Sequence, residues 1–67
     1  MTVFLNNQQL TLPKAGMTVA ELLEWQEINT KGSAVAIEDT LLRKDAWKDT
    51  ILTDNMHLTV ITAAFGG

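Results

Sequence analysis

The chain has 67 residues, a formal net charge of −3 and no cysteine. This length allows one domain with a small core, and the lack of cysteine excludes a disulfide framework and a thiolate metal site. The negative charge disfavours nucleic-acid binding, which needs clustered Lys and Arg. Because the sequence shows no long apolar run and no signal-peptide pattern, we expect a soluble cytoplasmic protein that does not bind membranes.

The first predicted element is a β-hairpin over residues 2–12. Apolar and polar residues alternate on both sides of Asn6-Asn7, with the apolar positions at Val3, Leu5, Leu10 and Leu12. Asn tolerates the positive φ angles that a two-residue hairpin turn requires. Pro13 then ends the second strand, because proline has no N–H to donate to the sheet.

A helix is predicted over residues 19–28. Its start is indicated by Thr18 and Glu21, which have the spacing of a capping box, in which each side chain accepts a hydrogen bond from the backbone N–H of the other residue. Lys31-Gly32 provides a plausible end for this helix, with Asn29 as an alternative terminator.

The second half of the chain is predicted to form strands separated by turns. The predicted elements are a strand at 34–38, a turn at Asp39-Thr40, a short return strand at 41–43, an irregular helical turn at 45–48, a turn at Asp54-Asn55 and a strand at 58–62. The last strand is the richest in β-branched residues. A hairpin followed by a helix and more strands predicts an α+β fold, a mixed sheet of four to five strands packed against one main helix.

The last five residues, Ala63-Ala64-Phe65-Gly66-Gly67, follow the final predicted strand directly. We therefore divide the chain into a domain at 1–62 and a flexible C-terminal tail at 63–67. Two glycines at a terminus are consistent with a frayed end. They are also consistent with a slender backbone that enters a narrow channel and presents its carboxylate there. Composition does not choose between these interpretations.

The order of elements and the end of the chain resemble the ubiquitin-like β-grasp proteins, and within them the ThiS family of sulfur carriers. The resemblance covers essentially the whole chain. It rests on the opening strand ending in Asn6, the helix start at 18–23, the strand at 34–37, the Trp47 region, the Asp54 turn, the last strand and Gly66-Gly67. It implies a β-grasp fold and a carrier function in the formation of the thiazole of thiamine.

The resemblance also implies a chemistry for the tail. An E1-like adenylyltransferase of the ThiF type, using ATP and magnesium, would activate the Gly67 carboxylate. A desulfurase system would supply the sulfur for a thiocarboxylate there, and a ThiG-type thiazole synthase would receive it. Ala64, Phe65 and Gly66 would form the partner-binding part of the tail. The chain itself would bind no cofactor or metal.

Three other functions are kept as alternatives. One is a sulfur carrier of the molybdopterin synthase small-subunit type, although that family is usually longer than this chain. A second is a ubiquitin-like modifier that joins Gly67 to lysines of other proteins, and a third is a β-grasp interaction module whose tail is incidental. An enzyme is not expected, because no paired acid, base and nucleophile can be named in the sequence.

The remaining candidate residues are expected to pack in the domain or to contact a partner. His57 is expected at the surface, because a lone histidine cannot complete a zinc site. Trp25 and Trp47 could anchor a partner, but core or semi-buried packing is favoured in so small a domain. Ile61 and Phe4 are candidates for a docking patch beside the tail. The acidic surface is expected to steer the chain to a basic patch on the adenylating partner.

Overall fold

The computed structural model describes residues 1–62. The elements within this range are β1 (Thr2–Leu5), β2 (Gln8–Thr11), α1 (Val19–Trp25), β3 (Ser33–Ile37), β4 (Thr40–Leu42), a short 3₁₀ helix (Lys44–Ala46) and β5 (His57–Thr62). The strands form one mixed sheet in the order β2-β1-β5-β3-β4. The predicted α+β fold, with a mixed sheet and one main helix, is confirmed. No helix in this part of the chain is long and apolar enough to cross a membrane.

The hairpin turn forms where the sequence predicts it. Leu5 pairs with Gln8, so that Asn6 and Asn7 are the two residues of the turn. Their φ angles are 51° and 66°, the pair of positive values that matches the right-handed twist of the flanking strands.

The central strand of the sheet is β5. It runs parallel to β1, with Phe4 opposite His57 and Leu5 opposite Leu58. It is antiparallel to β3 over five residue pairs, which end at Ser33 opposite Thr62. The strand that leads to the tail is therefore held from both sides by strands distant in sequence.

The core lies between the sheet and α1. It is built mainly from aliphatic side chains, together with a methionine and a tryptophan: Val3, Leu5, Leu12, Met17, Val19, Leu22, Leu23, Val35, Trp47, Leu52 and Leu58. Val19, Leu22 and Leu23 are the helix residues in this cluster, at the spacing of one face of a helix. Burial of these apolar groups is the main source of stability for a domain without disulfides.

The predicted capping box starts α1. The Glu21 N–H donates to Thr18 Oγ1 at 3.2 Å, and the Thr18 N–H donates to Glu21 Oε1 at 3.0 Å. Glu21 Oε2 also accepts from Lys14 Nζ at 3.2 Å. The hydrogen bond from the Thr18 backbone, followed by the hydrogen bond and charge of Lys14, lowers the pKa of the Glu21 carboxyl.

This lowered pKa makes the stability of the helix start depend on pH. A carboxyl whose pKa is lower in the folded state stabilises that state above its unfolded pKa, near 4.5, and loses the effect as pH falls through the folded value. Thermal unfolding of the wild type and Glu21→Gln across this range tests the effect. We expect the wild-type advantage in Tm to be largest above pH 4.5 and to shrink below it. A Tm difference that does not change with pH would contradict the assignment.

The end of α1 differs from the prediction. The helix ends at Trp25 instead of residue 28, and neither Lys31-Gly32 nor Asn29 terminates it. Glu27 takes a positive φ of 57°; its N–H donates to the carbonyl of Glu24 at 3.0 Å, while the Ile28 N–H donates to the carbonyl of Leu23 at 2.9 Å. This is a Schellman motif, which stops a helix by bonding its last carbonyls. The prediction was wrong because Glu27 occupies the position that usually holds glycine.

Replacing Glu27 with glycine should stabilise the domain. The left-handed conformation costs a residue with a Cβ about 1–2 kcal/mol, which exceeds the extra unfolded-state entropy of glycine. We expect Glu27→Gly to raise the free energy of unfolding in urea by about 0.5–1 kcal/mol. The control is Gln26→Gly at the preceding residue, whose φ is −85°; there glycine should destabilise by a similar amount. Destabilisation by both variants would contradict the argument.

The strands of the second half follow the predicted order with bounds shifted by one residue. The turn between β3 and β4 lies at Glu38-Asp39, with φ angles of 48° and 70°, instead of Asp39-Thr40. Thr40 is β-branched and favours the extended conformation, so it begins β4. The predicted helical turn at 45–48 is a short 3₁₀ helix, and Asn55, with a φ of 65°, forms the predicted turn before β5.

Candidate functional site

The predicted reactive tail lies outside the described residues. Ala64, Phe65, Gly66 and Gly67 all follow residue 62, so their roles stay predictions. The same holds for the division of the chain at residues 62 and 63. The structure describes β5, which leads into the tail in sequence, and the surface around that strand.

The side chain of Asn6 holds β5 beyond the point where β1 ends. The Val60 N–H donates to Asn6 Oδ1 at 2.8 Å, and Asn6 Nδ2 donates to the Val60 carbonyl at 3.4 Å. The Asn6 backbone N–H also donates to the Leu58 carbonyl at 2.9 Å. One side-chain amide thus takes the place of a further strand residue beside β5. The sequence predicts Asn6 only as a turn residue, because its bonds to Val60 depend on the pairing of strands that are distant in sequence.

One face of the sheet, which we name the open face, points away from α1. Strand residues alternate between the two faces, and Leu58 on the α1 side of β5 is buried, whereas its neighbours are exposed. The register places these residues together on the open face: Phe4, Ala34, Ala36, Leu41, His57, Thr59 and Ile61. Ile61 is 62% exposed. Its position outside the core agrees with its predicted place in a docking patch, which itself stays a prediction.

His57 and Phe4 form a pair on this face. Their ring centroids are 4.4 Å apart and the ring planes differ by 12°, so the rings are stacked. The predicted surface position of His57 is confirmed, because the residue is exposed. The stacking was not predicted, because it depends on the parallel pairing of β1 with β5.

The two tryptophans differ in their exposure to solvent. Trp47 is 4% exposed, and its Nε1–H donates to the Leu42 carbonyl at 3.3 Å, which confirms the predicted core position. Trp25 is 41% exposed, so the predicted core or semi-buried position was wrong for this residue. The reason is helical geometry: at about 100° per residue, Trp25 lies about 110° from the centre of the stripe formed by Val19, Leu22 and Leu23, at the flank of the buried face.

Charged groups of residues 1–62 form only isolated pairs. Two ion pairs occur there, Lys14 with Glu21 at 3.2 Å and Arg43 with Asp45 at 3.5 Å, and both are exposed. No group of three His, Asp or Glu side chains within this range could hold a metal ion. Whether the whole chain binds a metal or a cofactor stays a matter of prediction.

The family of the chain is shown by a match to a known family model. The model of the ThiS family matches residues 2–67, which include Gly66-Gly67. The chain belongs to the ThiS family. The family match covers β1 through β5 and continues over the tail that the structure does not describe.

Two solved structures have the same fold. One is a crystal structure of a thiamine biosynthesis protein (ThiS) from Geobacter metallireducens, with a TM-score of 0.86, 20% identity and full coverage of both chains. The other is a solution NMR structure of a thiamine biosynthesis protein from Geobacter metallireducens, with a TM-score of 0.80 and 22% identity, covering 100% of this chain and 88% of that one. The likeness confirms the ubiquitin-like β-grasp fold. No curated protein matches the chain.

Proposed function

We propose that this chain is a sulfur carrier protein of thiamine biosynthesis. The Gly67 carboxylate is adenylated by an E1-like enzyme and converted into a thiocarboxylate, which donates its sulfur to thiazole formation. The observation that carries the proposal is the match to the ThiS family over residues 2–67, including the terminal Gly66-Gly67.

The chemistry explains why the carrier needs an adenylating partner. A carboxylate resists substitution because its leaving group would be an oxide. Attack of a Gly67 oxygen on ATP releases pyrophosphate and forms an acyl-adenylate, whose leaving group is AMP. Hydrosulfide from the donor system then attacks the carbonyl carbon and expels AMP, which leaves a thiocarboxylate and releases a proton. A persulfide donor would first form an acyl disulfide, whose S–S bond a thiol of the donor system cleaves as that thiol becomes a disulfide. ATP and magnesium belong to the partner, and the chain acts as a co-substrate without catalysing a step.

The folded domain serves to recognise partners and to position the tail. Central β5, paired on both sides and held by Asn6, provides a rigid base for the residues that follow it. Rigid placement of a reacting group lowers the entropic cost of reaching the transition state. The proposed partners are a ThiF-type adenylyltransferase, a desulfurase system and a ThiG-type thiazole synthase, and the proposed location is the cytoplasm.

Docking through the open face can be tested with a matched pair of isoleucines. Ile61 and Ile51 are 62% and 57% exposed, but only Ile61 lies on the open face. Because a charge in an apolar interface is strongly unfavourable, we expect Ile61→Asp to weaken binding to the adenylating partner at least about tenfold. Ile51→Asp should bind like the wild type. Isothermal titration checks this, and equal losses in both variants would argue against the patch.

The proposed function is tested by intact mass spectrometry. The chain is incubated with a ThiF-type enzyme, ATP, magnesium and a sulfur donor. Replacement of one oxygen by sulfur at the C-terminus supports the carrier, whereas covalent ladders with other proteins support a modifier. Delivery of the sulfur to thiazole synthase, but not to the large subunit of molybdopterin synthase, separates the two carrier types. The proposal fails if the terminus is never modified.

A further inference from the structure

A second surface feature lies on the α1 side of the domain. It is a groove of about 340 Å³ between the segment after β2 and the outer side of α1, lined by Pro13, Lys14, Met17, Glu21, Glu24 and Trp25. The proposed docking patch is on the opposite face of the sheet. Both surfaces are therefore accessible at the same time, and the proposed docking patch does not include this groove.

The groove combines an exposed indole with carboxylates. Trp25 is 41% exposed at the end of α1, and the face of an indole attracts cations. Glu24 is exposed beside it and forms no ion pair with any residue in the described range. The one cationic side chain of the lining, Lys14, is bonded to Glu21 at 3.2 Å. An acceptor carboxylate and a partly exposed indole are thus left for a cation from outside.

We propose that this groove binds an arginine side chain of a partner protein. The guanidinium stacks on Trp25 and pairs with Glu24, while its aliphatic stem lies along Pro13. Arginine fits better than lysine, because its planar, weakly hydrated head stacks on aromatic rings and bonds a carboxylate through two N–H groups. The net charge of −3 favours a basic partner segment over an acidic one. A partner held here leaves the open face free for a second protein.

The test uses the full chain labelled with ¹⁵N and short Gly-Ser peptides that carry one arginine, lysine or citrulline. The Trp25 indole N–H signal reports on the groove, and that of Trp47, which is buried and bonded to Leu42, is the internal reference. We expect the arginine peptide to shift the Trp25 signal saturably, with the Trp47 signal unchanged. The lysine peptide should bind more weakly, and citrulline, which is neutral and nearly the same shape, should cause no shift.

Two variants that each remove one negative charge distinguish binding in the groove from nonspecific electrostatic attraction to the acidic chain. Glu24→Gln removes the proposed partner of the guanidinium, and we expect about fivefold weaker binding. Glu27→Gln alters an exposed carboxylate outside the lining and should leave binding within about twofold. The proposal is overturned by no saturable shift, by equal shifts with arginine and citrulline, or by equal losses in both variants. None of these outcomes depends on sulfur transfer, so they leave the proposed function standing.

Discussion

Deletion of Gly67 is expected to abolish formation of the thiocarboxylate. The shortened chain would still end in a glycine carboxylate, but that carboxylate would lie about 3.5 Å short of the point it must reach, which is the length of one extended residue. Misplacement of a reacting group by this distance removes the advantage of positioning. Intact mass after incubation with the adenylating enzyme, ATP and a sulfur donor gives the result. Circular dichroism should show an unchanged fold, because the core cluster described within residues 1–62 is left intact by the deletion.

A substitution at Gly67 distinguishes the effect of tail length from the effect of side-chain size. Gly67→Ala keeps the length of the chain and adds one Cβ, which a narrow channel would exclude. We expect it to reduce modification without shifting its site. A deletion variant that supports thiazole formation as well as the wild type would show that the tail is incidental, and the interaction-module alternative would then stand.

Asn6→Gly is expected to lower the free energy of unfolding by about 1 kcal/mol. Glycine retains the positive φ of the turn, but it removes the 2.8 Å hydrogen bond from the Val60 N–H and the longer 3.4 Å bond to the Val60 carbonyl. The shorter bond accounts for most of the effect. The loss should appear as a lower midpoint in urea unfolding. Because Val60 lies near the end of β5, hydrogen exchange of its amide should also become faster in this variant.

The neighbouring turn residue provides the control. Asn7 also has a positive φ, but its side chain makes no hydrogen bond within residues 1–62. Asn7→Gly should therefore change the free energy of unfolding by less than about 0.5 kcal/mol. Equal destabilisation by the two variants would mean that the turn conformation, and not the bond to Val60, accounts for the effect of Asn6.

Short sequence patterns correctly predicted the hairpin turn and the helix start, because these features depend on residues that are close together in the chain. The turn at Asn6-Asn7 follows from the tolerance of asparagine for positive φ, and the start of α1 follows from two side chains three residues apart. The end of α1 was less predictable. Glu27 has a conformation that its side chain disfavours, and the packing of the adjacent Ile28 against the core helps to impose it.

The hairpin, the helix start, the last strand and the terminal glycine pair that indicates the family are all evident from local sequence patterns. The side chains that surround β5 are not, because they come from strands that are distant in sequence. The bonds between Asn6 and Val60 join residues 54 positions apart, and the stack of Phe4 on His57 depends on the same parallel register. Short-range propensities carry no information on such pairings, because register is set when distant strands bury a common face.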